Sequence, residues 1–460
     1  MTIKTDSLRR TFSGEVILPA DATYDEARTT FNATIDRRPA AIVRPRSTAE
    51  VSAAVRWARD TGLQLAVRGG GHSVAGHGVA EGALTIDLRE MHEIHVDPIA
   101  RRARVGGGAR WEDVDTATLA HGLATTGGTF GDTGVGGLTL GGGIGFLMGT
   151  AGLTCDNLVG AEVVTADGSI VVVTAGGAGD PELLWALRGG GGNFGVVTAF
   201  EFALHPVAPV WVAVVKVALA DTGAALEAMA DLAREAPNEA VIFAGGPVML
   251  EPEAPGGTDP TAFKITVAYQ GGQEAADRFI APLRRLPVID ASLTSMSYRE
   301  LQVLSGRLPF GLRHYWKGHC LRDLEPSAID VITATIQDRP APPSFLLLEA
   351  ITGAARHEPA GGAAFGQRAA RWNVSALAIW TDPADDARQV AWSRAVAEGL
   401  RPASLTGAGY ANYASADEST ERVLAAFGPE RIARLAEVKR RYDPANVFRA
   451  NLNIPPADQV

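Results

Sequence analysis

The chain has 460 residues, enough for two or three domains, with 46% hydrophobic and 20% charged residues. Its 42 basic and 52 acidic residues leave a net charge of −10, so there is no electrostatic reason to bind nucleic acid, and no basic run suggests a membrane-surface patch. Two cysteines, Cys155 and Cys320, make no disulfide framework, and Met1–Asp6 has no apolar leader core, so the expectation is a cytoplasmic protein without a membrane span.

Glycine is the anomaly: there are 52, and 33 of them lie between Gly62 and Gly195, so something approaches the backbone closely there. In chain order, residues 20–36 read as a helix and Ala40–Pro45 as a short strand. Ser47 and Glu50 make a capping-box pattern that opens a helix with Val51, Val55 and Ala58 on its apolar face. Leu63–Val67 is a buried strand running into Arg68-Gly69-Gly70-Gly71-His72-Ser73. Residues 84–88, 94–96 and 101–105 read as strands, the last ending in glycines 106–108, and 111–121 reads as a helix. The uncharged stretch Thr133–Cys155 has the length of a membrane span, but nine glycines between Gly134 and Gly152 make it a buried glycine loop. Glu162–Val173 reads as a hairpin around Ala166-Asp-Gly168. A helix at 181–187, a glycine loop at 189–195 and a strand at 196–202 follow. From His205–Pro209 onward glycine thins and strands alternate with helices, until a final helix from Arg431 ends near Tyr442-Asp-Pro444.

Several motifs point elsewhere. No Gly-Lys pair exists, so there is no phosphate-binding P-loop. Gly190, Gly192 and Gly195 spell GxGxxG, but a helix precedes them and a strand follows, the reverse of a dinucleotide turn. Gly71-His-Ser73-Val-Ala75 resembles a nucleophile elbow, yet Ala75 stands at the last glycine position and no helix follows, which argues against a serine hydrolase. His72 and His77 have no carboxylate at ligand spacing, so no metal site is expected. The three glycines before His72 let backbone N–H groups converge on an anion such as a pyrophosphate, with an imidazole beside it able to attack a cofactor. On these residues alone, a loop histidine bonded to a carbonyl is favoured.

Val67-Arg-Gly-Gly-Gly-His72-Ser-Val-Ala-Gly76-His, the Gly127–Gly145 segment, Leu153–Asn157, Ala161–Gly168 and Trp185–Thr198 follow one another in family order. They resemble the flavin-binding half of the vanillyl-alcohol-oxidase/PCMH superfamily. Tyr410-Ala-Asn-Tyr413, Lys439–Phe448 and Asn451–Pro455 narrow the resemblance to the berberine-bridge-enzyme-like oxidases, across nearly the whole chain. The resemblance implies an α+β fold: a PCMH-type FAD-binding domain at 1–206, a substrate domain at 207–429 built on an antiparallel sheet with helices behind it, and a segment at 430–460 returning to the first domain.

It also implies FAD bound covalently by His72, with cofactor contacts from Arg68, Gly69, Gly70, Gly71, Ser73 and Gly76. Further contacts are implied from Thr129, Thr133, Gly134, Gly136, Gly137, Gly142, Gly145 and Val163, and from Tyr410, Asn412 and Asn451. Phe130 stands where many relatives carry a second flavin-linking cysteine, so a single histidyl bond is expected. Thr133 falls where the family gates oxygen access, and its small side chain favours an oxidase.

Tyr413 matches a tyrosine that acts as base in some relatives, a role that needs its pKa lowered. The alternative is a buried aromatic with a bonded hydroxyl. Tyr410 and Asn412 would then share its strand. Glu349 lies in Leu347–Gly353, which faces the flavin in relatives, and a structural carboxylate fits it as well. The next strand, Trp372–Trp380, lacks the carboxylate some relatives place there. Arg313–Lys317 is either another substrate-facing cluster or a solvated strand. The implied reaction is oxidation of an alcohol or amine carbon of a small molecule, with hydride passing to flavin N5 and O2 reduced to H2O2. A dehydrogenase with another acceptor, a hydrolase using Ser73, and a non-catalytic flavin or ligand binder stay open. Substrate identity and oligomeric state are not legible.

Overall fold

The computed structural model describes residues 8–10, 12–246, 262–304, 306–307, 310–340 and 343–459. The first apolar runs build a small sheet from β1 (Glu15–Ile17), β2 (Ala41–Arg44), β3 (Leu65–Arg68) and β4 (Leu84–Asp87), in the order β1-β2-β4-β3. β2, β4 and β3 are parallel, and β1 is antiparallel at one edge. Parallel strands need a covered crossover, supplied by the helix Thr48–Thr61. Ser47 accepts the Glu50 N–H at its start, as its sequence predicts; the structure ends it at Gly62, φ 71.

A second sheet is antiparallel throughout, in the order β5-β6-β10-β8-β9. Its strands are β5 (Ile94–Asp97), β6 (Arg102–Gly106), β8 (Leu158–Val164), β9 (Ile170–Thr174) and β10 (Val196–Ala203), while β7 (Leu123–Ala124) pairs only with β11 (His205–Pro206). The β8–β9 hairpin turns at Gly168, φ 83, as expected. The C-terminal helix Pro429–Tyr442 returns to this unit, packing Leu435 and Val438 among Leu183, Leu187, Phe194 and Phe200.

The third sheet has seven antiparallel strands in the order β15-β12-β14-β13-β17-β18-β16. They are β12 (Val210–Ala218), β13 (Ala240–Gly246), β14 (Ala262–Tyr269), β15 (Val288–Met296), β16 (Arg313–Leu321), β17 (Phe345–Ala350) and β18 (Trp372–Trp380). Helices Thr222–Arg234, Pro326–Gln337 and Asp386–Leu400 cover one face, burying Val215, Ile265, Leu348 and Val374 against Leu226, Ile332 and Val396. By the two-residue period of a strand, the alternate residues Leu347, Leu377 and Trp316 turn to the other face. The architecture is α+β, as the resemblance implies.

One expected helix is mostly absent. Of residues 20–36 only Tyr24–Arg28 is helical, and Thr29 is already extended. Asn32 pulls the chain away: its Nδ2 donates to the carbonyls of Val74 (2.7 Å) and His314 (2.9 Å), tying it to two distant segments.

Candidate active site

Two glycine segments cross in backbone contact. A Cβ on Gly70 would lie 2.5 Å from both the N and the Cα of Gly134, so a side chain there has no room. Gly71 leaves the crossing at φ 75, which favours glycine. The crossing forms one wall of a cavity of about 300 Å³. Arg68 to Ser73 line it, as do Thr129, Thr133, Gly134, Gly136 and Gly137. Tyr410, Asn412, Tyr413 and Asn451 close it from the C-terminal part of the chain, and the seven-stranded sheet contributes Trp316, Leu347 and Leu377.

His72 is held by aromatic packing. Its ring stacks on Phe31 at 4.3 Å between centroids, Phe31 stacks on His314 at 4.1 Å, and Phe310 meets His72 edge-on at 5.4 Å. His72 Nε2 lies 3.2 Å from Asp132 Oδ2, although the two are out of line for a hydrogen bond. Nδ1 is left as the nitrogen not facing that carboxylate. Burial, and then the neighbouring His72, push His314 down to about 3, so His314 stays neutral in the stack.

On the sheet, Glu349 of β17 sits opposite Asn373 of β18. The buried carboxylate accepts from Asn373 Nδ2 at 2.6 Å and from the Tyr413 hydroxyl at 3.0 Å. Burial pushes Glu349 up to about 7, with those two hydrogen bonds acting in the opposite direction. Burial, followed by the Glu349 charge, holds the Tyr413 hydroxyl well above its ordinary value of 10. The lowered pKa that an unaided tyrosine base requires is therefore reversed here.

Tyr410 pins the turn that presents Tyr413. Its hydroxyl accepts from the Gly143 N–H (2.8 Å), the Ile144 N–H (3.2 Å) and Asn412 Nδ2 (2.8 Å). The expectation that Tyr410 and Asn412 line one strand is corrected: Ala411–Tyr413 is a 3₁₀ turn, closed by the Tyr413 N–H donating to the Tyr410 carbonyl at 3.0 Å. The Arg313–Lys317 cluster divides by strand alternation. Arg313 pairs with Asp386, and Lys317 with Asp417 and Glu418, while His314 and Trp316 join the aromatic packing around Phe31.

Five expected site residues lie outside the cavity lining. Glu349 stands behind Tyr413. Gly76, at φ 69, is required by packing, because a Cβ would lie 2.6 Å from the Ile35 side chain. Gly142 is backed by Phe365, Gly145 crosses the Gly127 carbonyl, and Val163 is in the sheet core against Gly195. Conversely, Gly189–Gly192 and Gly195 do line the cavity. Their GxGxxG spacing was a visible signal, and its order only excludes a Rossmann turn. Trp316 belongs to the Arg313–Lys317 cluster and Leu347 to the Leu347–Gly353 segment, both sequence candidates for this side of the site, whereas Leu377 carried no sequence signal beyond strand alternation. Ser73 Oγ accepts the His77 N–H at 3.2 Å, and among the described residues no imidazole pairs with it, so the hydrolase reading has no relay.

The cavity suits the FAD that the sequence implies. A Cβ on Gly137 would meet nothing within 4 Å, so that backbone faces open space. Four buried polar atoms around it, Arg68 Nε, His72 Nε2, His77 Nε2 and Asn451 Oδ1, have no hydrogen-bond partner. Residues 39–174 match the family model described as FAD binding domain, and residues 409–455 that described as Berberine and berberine like. The chain is 33% identical to (R)-6-hydroxynicotine oxidase of Paenarthrobacter nicotinovorans over 466 residues, 96% of this chain and 97% of the relative. The crystal structure of 6-hydroxy-D-nicotine oxidase from Arthrobacter nicotinovorans superposes with a TM-score of 0.82 at 30% identity, over 96% of this chain and 98% of that one. Glucooligosaccharide oxidase from Acremonium strictum, with a 6-S-cysteinyl, 8α-N1-histidyl FAD, gives 0.85 at 25% identity, over 96% and 97%. The chain thus belongs to the berberine-like FAD-linked oxidoreductases and is an FAD-dependent enzyme.

Proposed function

We propose that the chain is an oxidase that holds FAD by one covalent bond, from His72, and oxidises an alcohol or amine carbon of a small molecule with O2 as electron acceptor. One observation carries the reading: His72 and Tyr413 line a single cavity, and Glu349 accepts the Tyr413 hydroxyl from behind that wall. Bound there, FAD supplies the two-electron hydride acceptor.

The chain supplies position and proton transfer. The N–H groups around the Gly70–Gly134 crossing hold the pyrophosphate, with Asn451 and the Gly189–Gly192 loop closing around the cofactor. Phe130, in place of a second linking cysteine, leaves the histidyl bond as the single link. Thr133 keeps the approach to the flavin open to O2. Tyr413 takes the substrate proton as its own passes to Glu349, so the carboxylate is the terminal acceptor and the phenol the relay. Residues 1–206 with 430–460 form the flavin-holding part, and 207–429 the substrate part.

The test is acid precipitation of the purified protein, with visible spectra of pellet and supernatant. Flavin in the pellet, and its loss there in His72→Ala, is expected. Flavin only in the supernatant removes the covalent bond. A flavin that substrate reduces but O2 does not restore replaces the oxidase with a dehydrogenase.

A further inference from the structure

We infer that the substrate is a lipophilic amine: an apolar, ring-bearing body with one basic nitrogen on the carbon that is oxidised. The inference rests on the oxidase reading and narrows its choice of alcohol or amine.

The sheet-side wall decides the class. Leu347, Leu377 and Trp316 form it, and Phe130 of the glycine segment lines the same cavity. Polar atoms there are few. The Tyr413 hydroxyl is already donated to Glu349, Asn412 donates to the Leu138 carbonyl and to Tyr410, and Trp316 Nε1 is buried without a partner. A sugar brings a hydroxyl on almost every carbon, and each one buried against leucine without a partner loses its hydrogen bonds to water with nothing in return. Such a wall rejects oligosaccharides. It also rejects anions: none of these side chains carries a positive charge, and Glu349 stands immediately behind.

A cation is what the wall lacks. Among the described residues, no cationic side chain acts on the Glu349 carboxylate. In front of it, Trp316 and Tyr413 meet edge to face, 5.5 Å between centroids at 84°, forming an aromatic corner. Aromatic faces backed by a carboxylate attract an ammonium. An acceptor that titrates near neutrality also suits an ammonium proton better than the far less acidic proton of an alcohol. The ammonium loses one proton to the Tyr413–Glu349 pair to give the neutral amine. Its α-carbon then gives up a hydride, and the nitrogen gains a positive charge as its lone pair forms C=N, shedding any second N–H proton to solvent. The two electrons of the hydride pass through the flavin to O2, which takes up two protons to leave as H2O2.

The flavin-loaded protein is mixed anaerobically with N-methylbenzylamine, 2-phenylpyrrolidine, benzyl alcohol and cellobiose at equal concentration, while flavin absorbance is followed. At least one amine is expected to reduce the flavin roughly tenfold faster than the alcohol, a gap of about 1.4 kcal/mol, with cellobiose slower still. Reduction by benzyl alcohol or cellobiose at a rate equal to the amines overturns the inference. So does failure of both amines to reduce the flavin or perturb its spectrum at saturation. In either case, a flavin that dithionite bleaches and O2 restores leaves the oxidase reading standing, and a flavin that O2 does not restore refutes that reading itself.

Discussion

Replacing Glu349 by Gln separates catalysis from stability, because burial makes this carboxyl costly to keep. It moves from an ordinary value of 4.5 to about 7. At about 1.36 kcal/mol per pH unit, the charged form is disfavoured in the fold by about 3 kcal/mol. The sign follows from which state binds more protons. Below about pH 4.5 both states are protonated and nothing is lost. Between about 4.5 and about 7 the unfolded chain ionises first, so stability falls as pH rises, and above about 7 the whole deficit is present. Glutamine has no such deficit. Glu349→Gln is therefore expected to gain up to about 3 kcal/mol over the parent when the comparison moves from about pH 5 to about pH 8. Its amide loses one of the two accepted hydrogen bonds at every pH, which offsets the absolute value and leaves the pH trend. The same variant is expected to reduce its flavin on the order of 10²–10⁴ times more slowly, having lost the terminal proton acceptor. Denaturant unfolding at the two pH values and stopped-flow flavin reduction read the two effects. A stability difference independent of pH, or a rate within threefold of the parent, refutes the reasoning.

Asp132→Asn is expected to lower the fraction of flavin retained in an acid pellet, because it removes the carboxylate charge that faces His72 Nε2 from 3.2 Å; full retention leaves the placing of His72 to the Phe31 and Phe310 packing alone. Gly70→Ala forces a Cβ to 2.5 Å from the Gly134 backbone, so a folded but flavin-free protein is expected by circular dichroism and visible absorbance. Lys439→Met strands Asp443 and two carbonyls that the buried ammonium serves, from Asn193 and Phe448 at 2.8 Å each. It is expected to cost about 3–5 kcal/mol, seen as a lowered unfolding midpoint.

Local signals carried the first half of the molecule. The cap at Ser47 and the turn at Gly168 are written in residue types whose conformational needs are local, and the structure follows them. The helix expected at 20–36 failed because Asn32 answers to Val74 and His314, partners that no window around it contains. Tyr410 left its expected strand for the same kind of reason, its hydroxyl reaching Gly143 and Ile144 across the fold. Within the site, the glycines and His72 were visible because they depart from ordinary composition. Leu377 was not, since an apolar residue on a strand looks the same whether it faces a core or a cavity. The rise in the Glu349 pKa was likewise invisible, being a property of its burial between Asn373 and Tyr413 rather than of its neighbours in sequence.

Asn451 and Leu452 complete a cavity whose other walls begin at Val67. They are held there through Lys439, whose ammonium ties the last helix to Asn193 and to Phe448, just before them. A ribosome adds these residues only after more than four hundred others. The cavity thus cannot close before these late residues are made, however early its glycine segments fold. Closure of the cavity consequently waits on the last helix, and a chain halted before Asn451 is left with an open cleft.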